Sequence, residues 1–120
     1  MAMLSSLSGK YGLPVVYVNQ VGGNDDLVFD GRSAVVDSHG QCLGAATAFE
    51  EDVLVVDTES TQGTIPEKLL PEAELWAALR LGVRDYLAKT GFERTVIGLS
   101  GGIDSALTAA LAADALGPEN

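Results

Sequence analysis

The chain has 120 residues and a formal net charge of −10, with 47% hydrophobic and 20% charged residues. This composition is typical of a globular, soluble protein rather than a disordered one. The acidic balance argues against nucleic acid or a membrane surface as a partner, and no apolar stretch approaches the length of a membrane span. Because the chain has one cysteine, no disulfide can form within it, and the cytoplasm is the expected compartment.

The first half of the chain is predicted to be a meander of short strands. Residues 3–12 have a weakly helical pattern and precede the first of them. A Gly-rich, acidic loop over 19–26 and a hairpin turn at 38–41 separate some of the strands. The predicted strands, which are apolar runs between turn-forming residues, are 14–18, 27–29, 33–37, 42–49 and 52–57.

The character of the sequence changes after residue 57. Residues 58–71 contain glycine and proline and have no long apolar run, which is typical of a linker. From Pro71 the apolar residues recur every three to four positions, and this spacing predicts a helix that ends at Gly91. A buried strand over 95–99 and a second helix are expected to follow.

The hexapeptide Ser100-Gly101-Gly102-Ile103-Asp104-Ser105 joins that strand to that helix. A strand that turns through two glycines into a helix presents several backbone N–H groups and the positive end of the helix dipole at one point. This arrangement favours an anion, most often phosphate. Asp104 would be repelled by phosphates unless a cation such as Mg²⁺ lies between them. The motif therefore predicts a nucleotide site, and the alternative is a helix-capping turn with no ligand.

The order of glycines and serines narrows the kind of nucleotide site. A Walker A loop needs a Lys after its last glycine, and no Lys follows Lys89. A dinucleotide fingerprint needs three spaced glycines. The pattern SGGxDS after a strand instead resembles the PP-loop of the N-type ATP pyrophosphatases, which cut ATP between its α- and β-phosphates. NAD, GMP and asparagine synthetases belong to that group.

A second motif lies upstream, in residues 17–31, whose sequence YVNQVGGNDDLVFDG is similar to the closing section of a nitrilase-type amidase domain. Together, and in this order, the two motifs resemble the family of glutamine-dependent NAD synthetases. The resemblance implies an α/β fold: the C-terminal part of a nitrilase-like domain (1–57), a linker (58–71) and the start of a doubly wound, adenine-nucleotide α-hydrolase-like synthetase domain (72–120). Both domains are expected to be incomplete in this chain.

The family resemblance also implies a reaction. NAD is formed from deamido-NAD, ATP and glutamine-derived ammonia through an adenylated intermediate, by an enzyme expected to be a homo-oligomer. Asp104 would help to hold Mg²⁺. No catalytic residue is assigned, because the Glu, Lys and Cys of a nitrilase are expected upstream, and the chain alone is expected to be inactive. The residues that would bind the ATP phosphates are Gly98, Leu99, Ser100, Gly101, Gly102, Ile103, Asp104 and Ser105.

Other chemically capable residues are given structural roles. Cys42 starts an apolar strand and is predicted to be a buried thiol rather than a nucleophile. His39 is predicted to be a turn residue, and Trp76 to serve packing or an interface rather than nucleotide stacking. Asp85 and Lys89 are four residues apart on the first long helix, which predicts a favourable pair.

Three questions stay open at the level of sequence. Another PP-loop amidotransferase such as GMP synthetase is one rival, although the nitrilase-like residues 17–31 argue against it. A non-catalytic nucleotide-binding or interaction protein with a relic loop is another. Residues 19–31 could border the glutamine site or the ammonia path, or could simply be a loop that closes the domain.

Overall fold

The computed structural model describes residues 1–59 and 63–120, so residues 60–62 of the predicted linker lie outside the described residues. The chain folds into two compact units, residues 1–21 with 30–68 and residues 22–29 with 69–120. The elements in chain order are α1 (Ala2–Tyr11), β1 (Val15–Tyr17), β2 (Val21–Asn24), β3 (Leu27–Asp30), β4 (Ala34–Val36), β5 (Cys42–Ala45), α2 (Pro71–Thr90) and α3 (Ile103–Leu116). The expected mixture of helices and strands is confirmed.

A three-stranded antiparallel sheet in the order β1-β4-β5 organises the first unit. Strand β4 is the central strand and pairs on both sides. Its three residues are all buried, as expected for that position. Its register with β1 places Val35 opposite Val16, and an irregularity between Val35 and Val36 interrupts its pairing with β5. The core of this unit forms where Leu4 of α1 packs on Ala34 and Val36.

The turn between β4 and β5 is held by Asp37. Its carboxylate accepts hydrogen bonds from the backbone N–H groups of His39 and Gln41, each at 2.8 Å. The hydrogen bond from Gln41, aided by that from His39 and by the His39 ring, lowers the pKa of Asp37 below its ordinary value. The fully buried hydroxyl of Ser8 donates to the Asp37 carbonyl oxygen, which ties α1 to the same turn.

Three of the predicted strands differ from those observed. The segment 14–18 forms an edge strand, so Val16 and Val18 are 64% and 79% exposed rather than buried. The strand predicted over 42–49 ends at Ala45, and 52–57 forms no strand. The N–H of Ala45 donates to the carbonyl oxygen of Thr64 at 3.0 Å, so the bond from β5 goes to residue 64 and not to the segment 52–57.

The acidic loop predicted over 19–26 contains a strand. Residues Val21–Asn24 pair with Leu27–Asp30 as a two-stranded hairpin. The turn is made by Asp25 and Asp26, and Asp25 has a φ of 52°. Aspartate is one of the few residues that tolerate this left-handed conformation, because its short side chain can bond locally. Composition indicated the turn but concealed β2, which consists largely of glycine.

Helix α2 of the second unit begins and ends as predicted. Pro71 occupies the first turn of α2, and Gly91, with a φ of 78°, ends it. Helix α2 packs on α3 through Trp76, whose indole N–H donates to Asp114 Oδ2 at 2.6 Å, which bears out a packing role. In the described ranges, 1–59 and 63–120, no helix combines the length and apolarity needed to cross a membrane.

The buried strand predicted over 95–99 is absent. Residues 92–100 have no regular structure, and Val96 is 99% exposed. Thr95 donates its N–H to the carbonyl oxygen of Asn120 at 3.0 Å, but no strand of the described chain lies alongside to continue a ladder. A parallel strand takes its hydrogen bonds from neighbouring strands, so this run forms no strand among the described residues.

The hairpin of β2 and β3 packs against α2 through two glycines. A Cβ atom on Gly23 would lie 3.1 Å from the Cα of Gly82 and 3.4 Å from the Cβ of Asp85. The Gly23 N–H donates to Asp85 Oδ2 at 2.9 Å, and Lys89 Nζ donates to the Gly23 carbonyl oxygen. The absence of a side chain at Gly23 is therefore what allows strand and helix to approach this closely.

Replacing Gly23 by alanine is expected to destabilise the second unit by about 1–3 kcal/mol, because the added methyl group overpacks against helix backbone that cannot rotate away. Chemical denaturation with urea measures the free energy of unfolding. The matched control is Gly9→Ala in α1, where an added Cβ meets nothing within 4 Å. That control should be neutral or stabilising, by up to about 1 kcal/mol. Equal effects of the two substitutions would contradict the close packing.

The Asp37 turn is expected to be sensitive to acid. Folding lowers the pKa of Asp37, so the stabilisation from its ionised, hydrogen-bonded carboxylate is fully present above the ordinary aspartate pKa. This stabilisation is lost as the pH falls from the ordinary pKa through the lowered one. The amide shifts of His39 and Gln41, followed by NMR, should titrate with a midpoint below 3.8. Asp37→Asn should abolish that titration. A midpoint at or above 3.8 would show that the hydrogen bonds do not favour the ionised form.

Candidate functional site

The eight predicted site residues form one continuous turn at the start of α3. The extended residues before it lead into Gly101, whose φ is 87°, and Gly102 is the extended N-cap residue before Ile103. A Cβ at Gly101 would meet nothing within 4 Å, so glycine is required by the backbone angle and not by crowding. The backbone therefore reverses at the point where the helix dipole begins.

Two serine hydroxyls meet across this turn. Ser100 Oγ and Ser105 Oγ are 3.1 Å apart, and Ser105 Oγ donates to the Gly102 carbonyl oxygen at 3.0 Å. Ser105 Oγ also accepts from the Ser100 N–H at 3.3 Å. These hydrogen bonds all join residues of the same loop, so the two serines fix its conformation. Ser105 is half-buried, whereas Ser100 is exposed.

The outer surface of the turn is open. Leu99 and Ile103 are 67% and 80% exposed, so their apolar side chains lie open to solvent and only their backbone groups could bond to a polar ligand. The first N–H groups of a helix have no partner within the helix, and here they are accompanied by the positive end of its dipole. An anion with several oxygens is the ligand that such a turn can hold.

Asp104 is the one acid in the first turn of α3, and it is exposed. An aspartate next to an anion site fits a Mg²⁺ ion, which binds through one or two carboxylates together with phosphate oxygens and water. Within residues 1–59 and 63–120, no three His, Cys, Asp or Glu side chains come together as a metal cluster. The donor set therefore suits a metal that arrives with a phosphate ligand, and not one held by protein groups alone.

The residues assigned to structural roles lie outside this turn. Cys42 is half-buried, with its Sγ 3.5 Å from the Gly44 carbonyl oxygen, so it is less buried than predicted. The His39 side chain is 82% exposed at the tip of the Asp37 turn, as predicted for a turn residue. The contact of Asp85 and Lys89 with Gly23 could not be predicted from the sequence, although the i, i+4 pair and the glycines at 22 and 23 are each visible in it.

The two halves of the chain match two family models. Residues 2–65, more than half of the chain, match the carbon-nitrogen hydrolase family, and residues 75–120 match NAD synthase. The β2–β3 hairpin lies in the first match, and α2 and the turn of α3 lie mostly in the second. The chain belongs to the carbon-nitrogen hydrolase family and continues into a synthase segment.

Relatives contain both segments in the same order. The chain is 46% identical to the glutamine-dependent NAD(+) synthetase of Synechocystis sp. over 99% of its length, and 47% identical to that of Rhodobacter capsulatus over 91%. It also matches the structure of the glutamine-dependent NAD+ synthetase from Acinetobacter baumannii in complex with ADP. That match has a TM-score of 0.82 and 43% identity, and it covers 98% of this chain and 23% of that one.

These matches support the family resemblance and the α/β fold class expected from the sequence. They favour the NAD synthetase interpretation over GMP synthetase, because relatives that align with nearly the whole chain have that name. The chain spans about a fifth of the length of these curated relatives, 22% for the Synechocystis protein and 21% for the Rhodobacter protein. Its similarity therefore concerns a limited stretch of those proteins.

Ser105→Ala is expected to loosen the turn, because it removes the hydroxyl that bonds to both Gly102 and Ser100. Amide exchange of Ser100 should accelerate by about tenfold, which corresponds to the net value of one hydrogen bond. Thr108→Val is the matched control, since the Thr108 hydroxyl donates to the Asp104 carbonyl oxygen on the same helix, at 2.9 Å. Similar acceleration in both variants would show that the serine pair does not shape the loop.

Proposed function

We propose that the chain is part of a glutamine-dependent NAD synthetase, and that residues 98–105 bind the phosphates of ATP. The observation that supports this most directly is the turn at Gly101 and Gly102, which leaves the N-terminus of α3 at an exposed surface. The relatives and the ADP complex of the Acinetobacter enzyme support adenine nucleotide as the phosphate source.

In the proposed reaction a carboxylate oxygen of deamido-NAD attacks the α-phosphorus of ATP, and the bond to the β-phosphate breaks. Pyrophosphate leaves, and ammonia from glutamine then displaces AMP and loses a proton to give the amide. Backbone N–H groups of the turn would hold the pyrophosphate oxygens as their charge grows. The hydroxyls of Ser100 and Ser105, which bond within the loop in this structure, would turn to donate to the same oxygens. Mg²⁺ would be held in part by Asp104 and would supply charge neutralisation.

Further parts of the proposal concern the protein's surroundings. The substrates are ATP, deamido-NAD and glutamine, and the full-length enzyme is a homo-oligomer. Neither nucleic acid nor a membrane is a partner, and the enzyme works in the cytoplasm. The net charge of −10 supports the first exclusion, because it repels a phosphate backbone. The isolated 120-residue chain binds phosphate weakly and has no activity of its own.

The test uses full-length protein that carries this segment, and it measures exchange of labelled pyrophosphate into ATP. Exchange should require deamido-NAD and should not be supported by xanthosine monophosphate, the substrate of a GMP synthetase. Gly101→Val should lower the rate by about 10²-fold, because valine does not adopt a φ of 87° and the donors are displaced.

Asp104→Asn should lower the same rate by a similar factor and should raise the Mg²⁺ concentration needed for half-maximal exchange. Glu93→Gln is the matched control, since it removes the same charge from an exposed residue of the same unit. Exchange that is independent of deamido-NAD, or unaffected by Gly101→Val and Asp104→Asn, would refute the proposed function.

A further inference from the structure

One residue of the hairpin, Gly23, has both its backbone N–H and its backbone C=O bonded to side chains of α2. The Gly23 N–H donates to Asp85 Oδ2 at 2.9 Å, and the Gly23 carbonyl oxygen accepts from Lys89 Nζ. Gly82, one turn before Asp85 on the same helix, lies against the Cα of Gly23. Residues 82, 85 and 89 follow the spacing of one helix face, so a single stripe of α2 makes the whole contact.

The charges on this stripe suit a strand edge. The N–H and C=O of one residue point to the same side of a strand, and on an edge strand they are open to any other backbone. Among the described residues β2 pairs only with β3, so its outer edge faces α2 without a further strand. An aspartate and a lysine four residues apart supply one acceptor and one donor, which match those two groups.

The carboxylate of Asp85 has a second contact, because its Oδ1 lies 3.2 Å from Arg84 Nε. The Asp85 side chain is 19% exposed, so it is largely withdrawn from water. One oxygen is thus held by a guanidinium group and the other by the hairpin. This arrangement orients the carboxylate toward Gly23 and restrains its rotation.

The base of the hairpin is fixed as well. Asn19 Nδ2 donates to Asp30 Oδ1 at 3.1 Å, and the Gly31 N–H donates to the Gln20 carbonyl oxygen at 3.0 Å. The hairpin lies within the residues that match carbon-nitrogen hydrolases, and Asp85 and Lys89 lie within those that match NAD synthase. A contact of two side chains with the backbone of one residue therefore joins the segments that match the two families.

Helix α2 continues this connection toward the nucleotide loop. Trp76 and Arg80 of α2 both contact Asp114 of α3, at 2.6 Å and 3.9 Å. The first turn of α3 carries Asp104 and Ser105. The hairpin, α2, α3 and the loop thus form one continuous series of contacts within the second unit.

We propose that Asp85 and Lys89 are positioning residues that couple glutamine use to NAD formation by holding the hairpin 22–29 on α2. This inference rests on the proposed function. When Asp85 and Lys89 no longer bond to Gly23, ammonia released by the amidase segment is no longer used efficiently by the synthetase segment. Ammonia supplied in solution does not depend on the amidase segment, so its use is retained.

The experiment compares two rates of NAD formation by full-length protein, one with glutamine and one with saturating ammonium chloride. Asp85→Ala and Lys89→Met should each lower the ratio of the glutamine rate to the ammonia rate by about tenfold. Asp85→Asn keeps an oxygen acceptor at the same position and should retain most of the ratio. Lys68→Met, which removes an exposed lysine just before α2, is the control and should leave the ratio unchanged.

Hydrogen exchange of residues 22–29, measured by mass spectrometry, reports whether the hairpin stays bonded to α2. It should accelerate in Asp85→Ala and Lys89→Met but not in Asp85→Asn or Lys68→Met. A ratio of glutamine rate to ammonia rate that does not change would overturn the proposal. If both rates fall equally, the two residues have a purely structural role. If unaltered protein forms NAD from neither nitrogen source, the proposed function fails and the coupling fails with it. A normal ammonia rate with an unchanged ratio refutes the coupling alone.

Discussion

The need of every backbone N–H and C=O group for a hydrogen-bond partner shapes this chain more than any single side chain does. Strand β4 has a paired strand on each side, whereas residues 92–100 have no regular structure and none of the described strands lies beside them. The same requirement explains the two functional features. The turn at Gly101 leaves N–H groups open for an anion, whereas the edge at Gly23 is closed by charged side chains.

The sequence was a good guide wherever structure depends on neighbours along the chain. Helix α2 begins at Pro71 and ends at Gly91 because proline and glycine act locally at helix ends. The nucleotide loop is a run of eight consecutive residues, so its position could be predicted without knowledge of the fold. Its role as a phosphate site stays a prediction, and its shape depends on two serines only five residues apart.

Prediction failed where partners come from distant segments. The apolar run 95–99 has the composition of a buried strand, but composition cannot supply the neighbouring strands that make one. Residues 52–57 contain an apolar run like that of a strand, yet it is Thr64 that bonds to β5. The contact between Gly23 and Asp85 spans 62 positions, and neither residue carries a signal of the other. Local sequence patterns predict individual helices and strands, but which of these elements pair with each other depends on the whole fold.

The use of side chains at Gly23 has a physical consequence that a strand would not have. A ladder of backbone hydrogen bonds is cooperative and is lost only when one of its strands unfolds. Two side chains can release one peptide by rotating, and both the hairpin and α2 keep their internal hydrogen bonds when they do. A contact of this kind is strong enough to orient the hairpin and simple enough to break and re-form. These properties are the ones that the proposed coupling of glutamine use to NAD formation would require.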